Sequence, residues 1–352
     1  MRAVDHALDA GDHWQRSHRV TAVPYAVVKK FGEDSANQYV VALGWYGFVA
    51  IYPLLLVVVT VLGFVGAASL GHHLVSTLHQ FPVVGSQFNP AHAGSSLHGS
   101  VLGLAVGLAG LLYGAQGVTQ TAQQAMANVW NIPQFDLPGF LPRMARSLAG
   151  LAIIGGAFVI NAALATLATS NGHSSLVRVP LLVGLVLVNV MLYVSAFRVL
   201  TPSAASLRAL VPGAVLAAIG FTALITLGSG LVQHQVKNSS ATYGQFGIVI
   251  GLVAFLFLLA KITLYGAELN PVLQRALWPR AMGNSDPTEA DDRVLHDITH
   301  QQLRRPDQRI GVGFGPKAEE QVALDARSES RRRSSDEAAS DDHVDPSSQS
   351  VP

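Results

Sequence analysis

The sequence predicts an all-α, polytopic membrane protein with six transmembrane helices and both ends on the cytoplasmic side (N-in/C-in). Three observations lead there. From Ser35 to Phe135 there is no Asp, Glu, Lys or Arg, and from Leu137 to Ala267 there is no acid. A water-soluble domain of that size needs charge on its surface, so most of this surface faces another solvent, lipid. The chain of 352 residues is 50% hydrophobic and 13% charged, with a mean hydropathy of +0.36, where a soluble domain is about a quarter charged. Finally, five of the 22 acids precede Ser35, Asp136 and Glu268 stand alone, and fifteen follow Asn270. The organisation is therefore tripartite: a charged N-terminal segment (1–38), an apolar membrane domain (39–275) and a polar, largely disordered cytoplasmic tail (276–352).

Six stretches are long and apolar enough to span about 30 Å of hydrocarbon at about 1.5 Å per residue: 40–67, 99–125, 147–169, 179–199, 211–233 and 245–270. Pro53 lies inside the first and should kink it, because it has no amide hydrogen to donate. The second ends in a polar run. Pro212 and Gly213 open the fifth, where proline is tolerated in the first turn. The first thirty residues hold acids, His and Arg rather than an apolar core with a cleavage site, so the first span is expected to act as an uncleaved insertion signal.

Flanking cations orient the spans. Arg2, Arg16, Arg19, Lys29 and Lys30 precede the first, Arg143 and Arg146 lie in the second loop, Arg198 and Arg208 in the fourth, and Arg275 and Arg280 begin the tail. The first loop, 68–98, has none, and the third and fifth have only Arg178 and Lys237. The positive-inside rule then puts both termini inside the cell. The stretch 20–38 reads either as a juxtamembrane linker or as an interfacial helix, with Tyr25, Val27, Val28 and Phe31 in lipid and Lys29 and Lys30 at anionic headgroups. Pro24 limits its upstream reach. Ser285 to Arg305 is compatible with one polar helix, and beyond Pro306 the composition is that of disorder.

Within the second span Gly103, Gly107, Gly110, Gly114 and Gly117 recur at steps of four and three, on one helix face. Such a face lets another helix approach backbone to backbone, from the same chain or from a second copy. Gln116, Gln120, Gln123 and Gln124 form a polar stripe at its end. Amides are costly in lipid, so these either line a vestibule or mark where the helix leaves the bilayer. Lys261 and Glu268 are the ionisable residues near membrane depth in the sixth span, seven apart and hence on one face, about 10 Å apart along the axis. Ionisable residues at such depth are functional candidates. Asn161 and Asn189 lie within spans, where interhelical hydrogen bonding is their common role. Seven histidines fall in the outer loops at spacings that match no metal motif, and there is no cysteine, so thiolate sites, disulfides and cysteine nucleophiles are excluded.

Five motifs resemble the YihY/BrkB family of bacterial inner-membrane proteins, once described as "ribonuclease BN". They are Ala42 to Leu56 (ALGWYGFVAIYPLLL), Gln123 to Trp130 (QQAMANVW), Val211-Pro212-Gly213-Ala214, Tyr243-Gly244-x-x-Gly247 and Gly266-Ala267-Glu268-Leu269-Asn270. They occur in the family's order at the expected helix ends and cover about residues 24–275. Ala50 and Lys261 depart from it, standing where Ser and a neutral polar residue are more usual. The resemblance implies a multi-pass protein of the bacterial cytoplasmic (inner) membrane concerned with envelope integrity, and a role in moving a lipid or other amphipathic molecule.

The expectation is thus transport or handling of a lipid or other amphipathic molecule, with Lys261, Glu268, the four glutamines, Asn161 and Asn189 bordering a polar cavity and Arg143 and Arg146 meeting headgroups. The alternative is a scaffold of an envelope complex that transports nothing. The partners expected are the bilayer, such a substrate, and a second copy or an envelope-complex protein. No catalytic residue, cofactor or metal is assigned. No phosphate-binding loop is present, so movement is passive, ion-coupled or driven by a partner. A nuclease needs clustered His and Asp ligands, and nucleic-acid binding needs a basic patch with interleaved aromatics; neither pattern occurs.

Overall fold

In the computed structural model, residues 12, 14–65, 101–150, 152–153, 156, 175–201, 205–239, 244–283 and 286–314 are described, some for their backbone alone. Seven helices are delimited among them: α1 (Arg19–Glu33), α2 (Ala36–Val65), α3 (Val101–Val129), α4 (Ser175–Leu200), α5 (Leu207–Ser239), α6 (Gly244–Gln274) and α7 (Glu289–Gln301). A further helical segment runs through 140–150, and there is no strand among the described residues. The third expected span, 147–169, starts earlier, by residue 140, and its later part lies outside the described residues. Among the described residues, three segments are long and apolar enough to cross a membrane: Val183–Leu200, Leu207–Ile225 and Val249–Gln274. Between 17% and 33% of their residues are buried, so most of their length stays at least partly accessible, as a lipid-facing surface requires.

Local chemistry sets the helix ends. Ser35, at φ 53°, breaks the chain between α1 and α2. Asn131 ends α3 at φ 50°, with the Ile132 amide donating to the Ala127 carbonyl and the Asn131 amide to Asn128. That six-to-one and five-to-two pairing is a Schellman close. Pro212 corrects the expectation for the fifth span: α5 begins at Leu207, so the proline lies inside the helix rather than in its first turn.

The packing is antiparallel where small residues allow it. A Cβ on Gly110 would lie 2.9 Å from the Pro53 ring, one on Gly114 2.8 Å from the Ala50 backbone, and one on Gly117 2.2 Å from the Tyr46 ring. The α3 glycine face therefore meets α2 of the same chain at these three positions. Between α5 and α6 the approach is closer still: a Cβ on Gly213 would lie 2.0 Å from the Gly266 carbonyl oxygen. There the Gly213 amide donates to Asn270 Oδ1 at 2.8 Å, which gives the Pro-Gly-Ala and Gly-Ala-Glu-Leu-Asn motifs one shared role, a backbone-to-backbone crossing.

Among the described residues the buried core gathers at one end of the helices. Phe31, Ala36 and Val40 meet Met126, Val129 and Trp130 from the end of α3, Phe197 and Leu200 from the end of α4, Leu210 and Ala214 from the start of α5, and Leu264 and Ala267 from late α6. Both α1 and α7 lie at this end, the terminal end.

Candidate functional site: a buried ionic junction

The ionisable side chains of α1 turn into the protein. Lys30 is completely buried, as are the side chains of Asp34 and Glu268. An ammonium has three donors, and Lys30 Nζ places all three: on Asp34, on Glu268 Oε2 at 3.0 Å and on the Val129 carbonyl at 2.8 Å. Burial by itself would push the Lys30 ammonium down, but the carboxylates of Glu268 and Asp34 outweigh it and hold its pKa above the ordinary lysine value. The Asn128 side chain donates to the Asp34 carbonyl, closing α3 onto the same turn. This corrects which residues of α1 are free to meet lipid and headgroups: Lys30 is bonded within the protein, and Val27 and Phe31 are buried, with the Phe31 ring stacked on Tyr265 at 4.2 Å, whereas Val28 stays exposed.

A second cluster adjoins the first. Arg280, also fully buried, donates through Nε to Asp291 Oδ1 at 2.6 Å and through a terminal nitrogen to both oxygens of Glu33 at 2.7 and 2.9 Å. Lys29 donates to the same Asp291 oxygen at 2.8 Å. The other oxygen, Oδ2, accepts from the Ala281 and Thr288 amides, both at 2.9 Å, and Asp291 with Thr288 forms the capping box of α7. Burial would raise the Asp291 carboxyl, but hydrogen bonds from Lys29, the Ala281 amide, Arg280 and the Thr288 amide reverse this and hold it well below the usual carboxylate range.

The other end of α7 is tied to α3. Arg275 bonds Asp297 at 2.7 Å and the Trp130 carbonyl at 3.0 Å, with its guanidinium 5.8 Å from the centre of the Trp130 ring. Gln301 donates to Asn128. Residues 276–283 and 286–301, within the polar tail where one helix is expected over Ser285 to Arg305, thus clamp α1 and α3 to the end of α6.

The residues singled out in the sequence do not converge on one cavity here. Glu268 belongs to the junction, bonded to Lys30. Lys261 shares its helix face but is partly exposed and has no hydrogen-bond or ion-pair partner among the described residues. The same outward face carries Ile250, Ala254 and Leu258, and α1 covers it only at its Glu268 end. Gln123 is buried and donates to the Arg143 carbonyl at 3.2 Å and Ser147 Oγ at 2.9 Å. Gln116 and Gln124 are exposed and Gln120 is half-buried. Asn189 is buried and donates to the Leu185 carbonyl within its own helix. Arg143 donates to the Pro138 carbonyl, and Arg146 is partly buried with one guanidinium nitrogen unpaired. Gly107 is buried; the surroundings of Gly103, and Asn161 altogether, lie outside the described residues. A cleft of about 400 Å³ beside α7, lined by Arg275, Arg293, His296 and Phe314 among others, includes none of these predicted residues.

Sequence reasoning missed Lys30, Asp34, Arg280 and Asp291. One signal was available: a lone acid late in an apolar helix needs a cation, and Lys30 with Asp34 four residues on is a ready pair. As for chemistry, no group of three or more His, Asp or Glu able to hold a metal occurs among the described residues. The junction is a set of ion pairs that fixes helix ends.

The comparisons agree with this architecture. The family model described as "Virulence factor BrkB" matches residues 27–290, from α1 into α7. The inner membrane protein YhjD of Escherichia coli (strain K12) is 25% identical over 289 residues, 74% of this chain and 83% of YhjD. The ribonuclease-like protein YfkH of Bacillus subtilis (strain 168) is 39% identical over 82 residues; that match spans 23% of this chain and only 30% of YfkH. No solved structure matches. Apolar helices that face outward, and a family match running from α1 into the clamp helix, place the chain: it is a membrane protein and belongs to the YihY/BrkB family.

Proposed function

We propose that this protein handles an anionic lipid or another anionic amphipathic molecule in the bacterial cytoplasmic membrane, as a six-span protein with both ends inside the cell. The observation that carries the reading is Lys261. It is a cation within the α6 membrane segment, partly accessible, and without a protein partner among the described residues. A charge at that depth is costly unless something pairs with it. Toward the start of α6 its helix face is apolar and outward, at Ile250, Ala254 and Leu258, so the natural partner arrives from the lipid side with an acidic headgroup and an acyl body. The Lys29–Asp291 ion pair that joins α1 to α7 supports placing both terminal segments on one side, and the cations flanking the spans favour the inner one. The name of YfkH belongs to that protein; nothing in the junction offers a nuclease mechanism.

The test is transfer of a fluorescent phosphatidylglycerol between leaflets of proteoliposomes. Lys261→Met is expected to abolish most of the protein-dependent rate and Lys261→Arg to keep it. An unchanged rate in Lys261→Met removes Lys261 from the mechanism.

A further inference from the structure

The polarity of α1 is inverted for a helix in water. A surface helix buries its apolar stripe and exposes its charges. In α1, Lys30 is completely buried, and the side chains of Lys29 and Glu33 are only 27% and 24% exposed. The outward positions are instead Val20 at 84% exposure, Val28 at 55%, and the exposed Pro24 between them and Gly32 beyond. These recur every four residues, so they form one uncharged stripe about 18 Å long at about 1.5 Å per residue. Isolated exposed apolar residues are ordinary. A stripe without a charge, on a helix that turns Lys29, Lys30 and Glu33 inward and leaves only Arg19 at its start exposed, is not.

We infer that this stripe lies in lipid, with α1 seated at the headgroup–acyl boundary of the leaflet on the terminal side. Continuity argues for lipid as the occupant. The chain turns at Ser35 into α2, whose outward residues Val41 and Trp45 are 49% and 59% exposed and lead into the apolar body. Trp14, 58% exposed, and Trp45 flank the stripe, the placement that tryptophan takes at membrane interfaces. Arg19 stays beside it, exposed, with its guanidinium over the Trp278 ring at 5.0 Å. The ionic junction then lies between the protein core and a lipid-covered helix, closed to water from both directions. The face assigned to lipid is that of Val20, Pro24, Val28 and Gly32, bordered by the buried Val27 and Phe31.

The chain contains no cysteine, so a single introduced thiol carries an environment-sensitive nitrobenzoxadiazole label without background. The full chain is placed in phosphatidylethanolamine–phosphatidylglycerol vesicles containing a nitroxide-labelled lipid, or with iodide in the water. Val20→Cys and Val28→Cys report the stripe, Met191→Cys in α4 reports lipid, and Glu289→Cys reports water. Labels at 20 and 28 are expected to be quenched by the nitroxide nearly as strongly as that at 191, and several-fold less by iodide than that at 289. Labels that follow 289 overturn the inference. Labels shielded from both quenchers overturn it as well, since a second copy or another part of the chain then covers the stripe. If the 191 label is itself quenched as in water, the membrane placement of α4 fails and takes this inference with it; quenching at 191 but not at 20 and 28 defeats the inference alone.

Discussion

Replacing Lys30 by Met tests the junction most directly. The substitution keeps the unbranched bulk of the side chain but deletes the ammonium. Three acceptors then lose their donor together: Asp34, Glu268 Oε2 and the Val129 carbonyl. All three ionisable partners are at 0% side-chain exposure, so water cannot replace the lost bonds. Breaking a buried pair by removing one partner costs about 3–5 kcal/mol, roughly a third of the total for a protein at the upper end of the ~5–15 kcal/mol range. Lys29→Met is the internal comparison: Lys29 is 27% exposed and Asp291 keeps Arg280 and two backbone amides, so the loss there is about 1 kcal/mol. Unfolding in mixed detergent micelles, followed by tryptophan fluorescence, should place Lys30→Met well below both the wild type and Lys29→Met. The double substitution Lys30→Met/Glu268→Met should recover part of the loss, because it removes an uncompensated acid as well. If Lys30→Met unfolds within 1 kcal/mol of Lys29→Met, by the same order-of-magnitude scale, the buried junction is not what holds α1.

Two further outcomes follow from the same geometry. Gly213→Ala puts a Cβ 2.0 Å from the Gly266 carbonyl and should destabilise by about 1–3 kcal/mol through overpacking. Gly32→Ala, with nothing within 4 Å of its Cβ, should be neutral or stabilise by up to about 1 kcal/mol; the same micellar unfolding assay separates them, and equal losses would contradict the crossing. The clamp should also open in acid. Because the Asp291 carboxyl is held below its unfolded value, its contribution is complete above about pH 4 and is lost as pH falls from there through the folded pKa. Hydrogen exchange at the α7 amides should therefore accelerate beyond its intrinsic pH trend below about pH 4, and Asp291→Asn should remove that excess; an unaltered excess in the variant would show that Asp291 is not the titrating group.

How far the sequence reached depended on the range of each interaction. Helix locations were legible because hydrophobic length and the absence of charge are local properties: α2, α3, α4, α5 and α6 overlap five of the six expected stretches. Helix ends were less so. Pro212 and Pro271 were both passed by their helices, since packing against neighbours offsets one missing amide donor. The glycine face on α3 was readable as a close-approach surface, but nothing in its spacing says that Tyr46, Ala50 and Pro53 fill it. For the site, Glu268 stood out as a lone acid in an apolar helix. Its partner did not, because Lys30 resembles any juxtamembrane lysine until the fold turns it inward.

By itself, the amino-acid order determined the solvent and the helical class: with no charge across a hundred residues, lipid and internally hydrogen-bonded helices are what satisfy the backbone. Only the tertiary structure decided which charges are hidden, because Lys30 and Glu268 are 238 positions apart and meet across two helices. Burial of an ion pair depends on what closes over it. Here that covering is made by α1, α3 and α6 jointly, and no window of sequence contains all three.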